Sequence, residues 1–202
     1  HTMPTSSVFY LKFNQQREAT PLQNANIRKA LAMAFDKQAY ADVVLQNGSI
    51  PANGLVPEKL ALDPSTGEDY REQNGDLLTF NAEEAKTYFE KGLAELGVES
   101  ITLELLSDDT ENAKRSSEFL QSQLQTNLPG LTVTLRNVPF KVRLEADTAG
   151  EYDISLSGWG ADYADPINFL ELFQTENGNN KSGYSNAEYD ALIDEARTNV
   201  TD

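Results

Sequence analysis

Cysteine is absent from this 202-residue chain, and histidine occurs once, at position 1. The first absence excludes disulfides, thiolate metal sites and thiol nucleophiles together. His1 stands in His1-Thr2-Met3, which reads as the remnant of an expression tag. Setting it aside leaves no histidine, which removes the usual zinc sites and Ser-His-Asp catalysis. No apolar run approaches membrane-spanning length. Basic side chains are outnumbered, 16 against 32 acidic, for a formal charge of −16. That balance repels nucleic acid and anionic membrane surfaces. Neither a signal peptide nor a lipid-attachment cysteine is seen, so an exported parent protein would begin upstream. A helical pattern over Asn186 to Val200 ends almost where the chain does, which predicts truncation at that end too.

What is present alternates strand and helix. Val8 to Phe13 reads as a strand. Ile27, Ala30, Leu31, Ala34 and Phe35 form an apolar stripe that predicts a helix from about Asn24 to Leu45, capped by Asn24 or Asn26 and stopped by Asn47-Gly48. Prolines and glycines punctuate residues 49–79, which are expected to form a long surface loop with short helical turns. Its run Asp63 to Asp69 lacks calcium-loop spacing and reads as solvated charge. Asn81 with Glu84 opens a second helix that Gly97 ends, burying Ala85, Tyr88, Phe89, Leu93 and Leu96. Strands follow at Ile101 to Leu105 and Leu131 to Leu135, separated by a helix over about Asp109 to Thr126. A short helix near Phe140 to Thr148 leads to a strand at Tyr152 to Leu156. The last helix opens at Ser185 with Glu188 as box partner and buries Tyr189, Leu192, Ile193 and Ala196. Such βαβ alternation predicts an α/β fold, one lobe over residues 4–202, with a largely parallel, helix-flanked sheet.

Ligands of open α/β sheets bind beyond the carboxyl ends of the strands. The strand at Tyr152 to Leu156 runs into Gly158-Trp159-Gly160-Ala161-Asp162-Tyr163-Ala164-Asp165-Pro166, which crowds glycines, aromatics and carboxylates together. The glycines permit close backbone approach, Trp159 offers an apolar face with one N–H, and Asp162 offers a charge for a cation. The same residues also fit a purely structural turn, with Asp165 as a cap and Trp159 in the core. Chemistry alone leaves both readings open.

This loop resembles the GWxADYxxP signature of the peptide/oligopeptide/nickel solute-binding proteins of ABC importers. Further blocks resemble that family in the same order: Leu11-Lys12-Phe13-Asn14, Asn26 to Leu31 with Phe35-Asp36-Lys37, Phe80 to Lys86, Gly150 to Asp153, and Tyr184 to Leu192. The resemblance implies a periplasmic-binding-protein-like fold in which two lobes close on a peptide, this chain being most of the second lobe. It implies that Asp162 holds the peptide's ammonium group, with Trp159, Gly160, Ala161 and Tyr163 beside it. It places Leu144 and the Asn179-Asn180 turn along the cleft. Some relatives hold the peptide carboxylate with arginines where this chain has Asp147 and Leu156, so no fixed clamp is expected at those places.

The implied function is capture of oligopeptides outside the cell, at the bacterial surface or in the periplasm, for ABC permease subunits, by a monomer. The membrane is reached only through a lipid anchor absent from this chain; no cofactor, metal or nucleic acid takes part. Reception of a signalling peptide, or binding of a nickel complex or sugar, shares the architecture. A hydrolase using Asp162 and Asp165 is the rival from another class, and the sequence supplies no further parts for it. Tyr184 and Tyr189 fit ligand stacking, but their helical spacing also fits packing.

Overall fold

The computed structural model describes residues 7–199. The tag remnant and Val200, the expected end of the last helix, lie outside them. In chain order the elements are β1 (Ser7–Phe13), α1 (Ala25–Met33), α2 (Lys37–Ala39) with a π-helical turn at Tyr40–Leu45, α3 (Tyr70–Asn74) and α4 (Ala82–Leu96). There follow β2 (Ile101–Asp108), α5 (Glu111–Asn127), β3 (Leu131–Val138), α6 (Phe140–Ala149), β4 (Ile154–Gly160), α7 (Ile167–Leu170) and α8 (Ala187–Thr198). The strands form one sheet in the order β1-β4-β2-β3. β2 lies parallel to both β3 and β4, while β1 runs antiparallel to β4.

Alternation along each strand sorts side chains between two covered faces. On one face Leu103, Leu105, Leu131, Val133 and Ile154 pack with Ile27 and Leu31 of α1, Phe89 and Leu93 of α4, and Leu120 and Leu124 of α5. Gly92 of α4 marks the close approach of α4 to α1: a Cβ there would lie 2.6 Å from Ile27 Cδ1. On the other face Leu106 packs with Ala146 of α6 and with Tyr152. Toward β1, Val8 packs with Val56 and Phe169, drawing the segment between residues 49 and 70 over the sheet. Within that segment the Asp63 carboxylate accepts from Ser65, Thr66 and Gln73, which hold it well below the usual carboxylate range.

Four elements differ from expectation. The helix expected over Asn24 to Leu45 breaks after Met33. Three successive carbonyls there are claimed from outside the helix: Ala32 by Lys37 Nζ, Met33 by the Asn81 N–H, and Ala34 by Asn127 Nδ2. Asp36 then caps α2 through the Ala39 N–H, and Gln46 ends the π turn in the left-handed region. Asn24 rather than Asn26 caps α1, accepting from the N–H groups of Asn26 and Ile27. The strand expected at Tyr152 to Leu156 begins later and runs on through Gly160, because β1 pairs with it along that whole length. α8 is capped by Asn186, not Ser185, since the Asn186 carboxamide oxygen accepts from Glu188 and Tyr189. Of its expected buried face, Ile193 is buried and Tyr189 half-buried, but Leu192 and Ala196 are exposed. Leu96 of α4 is likewise exposed.

Two half-buried phenols report on this packing. Burial first, then the nearby Asp147 carboxylate, pushes Tyr10 from its ordinary 10 up to about 12. Burial also pushes Tyr189, whose hydroxyl donates to the Leu170 carbonyl, up to about 12. A phenol whose folded value is raised favours the fold fully below pH 10, and that contribution is lost as the pH climbs from 10 to about 12. In spectrophotometric titration Tyr10 and Tyr189, together with the fully buried Tyr152 that burial raises further still, should therefore ionise last, with unfolding midpoints falling above pH 10. Uniform ionisation of all eight tyrosines near 10 in the intact fold would contradict this.

Candidate ligand-binding site

The carboxyl ends of the three parallel strands lie at one edge of the sheet, and the connections leave that edge in opposite directions. After β2 the chain passes through α5 on the face of the larger core; after β4 it passes to α7, whose Phe169 packs on the other face. The gap between β2 and β4 is thus a topological switch point, where open α/β sheets form crevices. Strand pairing widens it. β4 pairs with β1 over all seven of its residues, Ser7↔Gly160 through Phe13↔Ile154. It pairs with β2 only at Leu105↔Ile154 and Leu106↔Ser155. From Leu156 to Gly160 the edge of β4 that faces β2 has no strand partner among the described residues. Every second residue of such an edge presents its N–H and C=O outward, a ready template for an extended chain. Gly158 and Gly160 are exposed there, and a Cβ at Gly160 would meet only Ser7 Oγ, at 3.4 Å.

The turn after β4 is organised by one side chain the sequence reading did not single out. Asn168 is 2% exposed, and its Oδ1 accepts from both Trp159 Nε1, at 3.0 Å, and the Asp162 N–H, at 3.2 Å. The Trp159 ring is half-buried in the cluster around Val8 and Phe169, which also takes in Ala161. Asp165 Oδ1 accepts from the Ile167 N–H and so starts α7. The structural parts of the turn are therefore real: Trp159 is partly core and Asp165 is a cap. Asp162 is different. Its backbone is pinned, yet its side chain is exposed and its carboxylate makes no hydrogen bond or ion pair among the described residues. Tyr163 is also exposed, with its hydroxyl 3.5 Å from Glu171 Oε1.

The other expected contacts fare differently. Leu144 is exposed on α6, in a shallow depression with Lys141, Glu145 and Thr148. The Asn180 carboxamide is occupied by the fold: Nδ2 donates to the carbonyls of Phe173, Gln174 and Tyr184, and Oδ1 accepts from Ser182. It braces its own loop. Tyr184 and Tyr189 stack edge-on against each other, 5.9 Å apart. Asp147 forms an ion pair with Lys12 at 2.5 Å, with both side chains largely buried. A signal for Asn168 existed, since it is the lone polar residue of Ile167-Asn168-Phe169-Leu170, and buried polar groups need partners.

Residues 1–181 match the family described as bacterial extracellular solute-binding proteins, family 5. The chain is 38% identical to a dipeptide-binding protein, DppE, of Bacillus subtilis, over 95% of this chain and 35% of that protein. A structure of Listeria monocytogenes OppA bound to peptide aligns with TM-score 0.91 and 55% identity, over 94% of this chain and 38% of the other. The pheromone receptor PrgZ aligns with TM-score 0.88 and 41% identity, over 94% and 37%. The chain thus spans about a third of the curated relatives it matches. Among the described residues no helix is long and apolar enough to cross a membrane.

Trp159 is the sole tryptophan, so its emission reports on the turn directly. Replacing Asn168 with Ala leaves Trp159 Nε1 and the Asp162 N–H without an acceptor, at a cost of about 1–3 kcal/mol. The expected result is a lower unfolding midpoint together with a red-shifted Trp159 emission in the folded chain. An unchanged spectrum and midpoint would show that Asn168 does not hold the turn.

Proposed function

The chain belongs to the family 5 bacterial extracellular solute-binding proteins, and on that premise we propose that it forms one wall of a cleft that captures oligopeptides for an ABC importer. The observation that carries this reading is the free Asp162 carboxylate, held on a pinned turn beside the unpaired edge of β4. The carboxylate takes the peptide's ammonium group, an ion pair that excludes water once an opposing lobe closes. The β4 edge takes the peptide main chain as an added strand. Affinity drawn from main-chain groups tolerates many side chains, as broad peptide uptake requires. Likeness to DppE and to peptide-bound OppA supports the ligand class.

The parent protein works by binding and not by catalysis: it carries its peptide to membrane permease subunits, as a monomer tethered outside the cell by a lipid anchor. Asp162 and Asp165 do not form a catalytic pair in this reading, since the Asp165 carboxylate is engaged in starting α7. Likeness to PrgZ favours a second version of the same chemistry, in which the captured peptide is a signal. Ammonium and main-chain recognition serve either purpose.

The test is calorimetric titration of the full-length protein containing this chain, using a peptide pool with free or acetylated N-termini. Removing either member of a buried charge pair should weaken binding by about 3–5 kcal/mol. Acetylation and Asp162→Ala are each expected to produce that loss. Binding that survives both would contradict the amine-anchor reading.

A further inference from the structure

Arg143 is the one buried arginine among the described residues, at 8% exposure, and its guanidinium is mostly uncommitted. It sits in the first turn of α6, where its Nε donates to Asp108 Oδ1 at 2.7 Å and its plane lies 5.2 Å from the Phe140 ring centre. Nη1 and Nη2 make no hydrogen bond with any described residue. A guanidinium carries five donors in a fixed fork; here the protein holds only Nε, while Nη1 and Nη2 keep contact with solvent and are open to a ligand. Arg28 offers a contrast: its Nη1 donates to the carbonyls of both Leu22 and Gln23.

The surroundings of Arg143 point toward the cleft. Asp108 is the last residue of β2, two positions past Leu106, where the pairing with β4 ends. Continuing that register sets Asp108 across the splayed gap from Ser157, and Ser157 pairs with Tyr10 on β1. Tyr10, Ser157 and Asp108 share the sheet face on which α6 lies, so the guanidinium stands over the row that crosses the gap. The Arg143 charge acts on the Tyr10 hydroxyl and on the Lys12 ammonium, consistent with that placement. The Tyr10 hydroxyl makes no hydrogen bond with any described residue either. Of the other charges there, Lys12 and Asp147 pair with each other, and the Lys181 charge also acts on Lys12. The unmet donors of this row, two guanidinium nitrogens and a phenol, have the pattern that a carboxylate satisfies.

We propose that Arg143 is a specificity-determining residue that receives a carboxylate of the bound peptide through Nη1 and Nη2. The inference rests on the peptide-capture reading of the cleft. The planar fork matches the two oxygens of a carboxylate, and Asp108 holds Nε so that the fork is already oriented. The clamp thus comes from α6, not from positions 147 and 156, where Asp147 is paired with Lys12 and Leu156 lies on the opposite face. The carboxylate is the C-terminus of a short peptide or an acidic side chain of a longer one.

The full-length protein would be titrated with peptides as free acids and as C-terminal amides, and with amidated peptides carrying Glu or Gln at each internal position. One of the two carboxylate sources is expected to tighten binding by about tenfold or more, as a charged hydrogen-bonded pair does. Arg143→Lys should reduce that advantage to within about twofold, because one ammonium taken by Asp108 cannot also form the fork. Amidated peptides lacking acidic residues should bind this variant as they bind the wild type. If Arg143→Lys does not fold, the double substitution Arg143→Gln with Asp108→Asn leaves no unpaired charge and takes its place. The proposal is overturned if neither carboxylate matters to the wild type, or if the advantage survives the substitution. The N-acetylated arm reads Asp162 separately: loss on acetylation without any carboxylate effect would retain the peptide reading and reject the role of Arg143.

Discussion

The site depends on an unequal contest for β4. Seven residues of β1 pair with it on one side, whereas β2 holds it by two on the other. A central strand would ordinarily be bonded along both edges. Here Leu156 to Gly160 stay with β1 and leave β2, and the sheet forks at its carboxyl edge. The fork exposes backbone groups without unfolding anything, because β1 keeps the strand extended. The two flanking cores secure the arms: α1, α4 and α5 pack one face, while α6 and α7 pack the other.

Beyond the fork, the same economy of contacts separates what is held from what is left available. Asn168 fixes Trp159 and the Asp162 backbone with one oxygen atom, and the aromatic cluster around Phe169 buries that asparagine. The Asp162 carboxylate is left without a partner among the described residues. Arg143 is arranged in a parallel way, with Nε held and the rest of the fork unbonded among the described residues. A negative group and a positive group, each anchored at the base and open at the tip, flank an extended backbone edge. That pattern suits a zwitterionic chain better than a neutral or singly charged solute.

Much of the fold was legible in the sequence. The box Asn81 to Glu84, the stop at Gly97 and the alternation in β2 and β3 are local signals, and local forces decide them. Signals failed where distant residues intervene. The stripe from Ile27 to Leu45 is periodic, but Asn81 and Asn127 take the carbonyls that would have continued the helix. Gly158-Trp159-Gly160 reads as a loop by composition, and it is a strand because β1, far away in sequence, pairs with it. Leu192 and Ala196 lie in phase with Ile193 on a helical count, yet they are exposed. Asp162 and Trp159 could be named from their motif, whereas Asn168 and Arg143 could not, since their meaning lies in burial and in which atoms go unbonded. Asn180 shows the converse: the motif suggested a ligand contact, and the carboxamide is occupied in bracing its loop.

The central claim is that an unpaired backbone edge on β4 receives an extended peptide. Amide hydrogen exchange over Leu156 to Gly160 in the full-length protein, with and without saturating peptide, addresses it directly. Amides that point toward β2 should exchange quickly in the free protein and become protected when peptide binds, while those bonded to β1 remain protected throughout. Peptide binding that leaves this segment's exchange unchanged would contradict strand addition and place the ligand elsewhere.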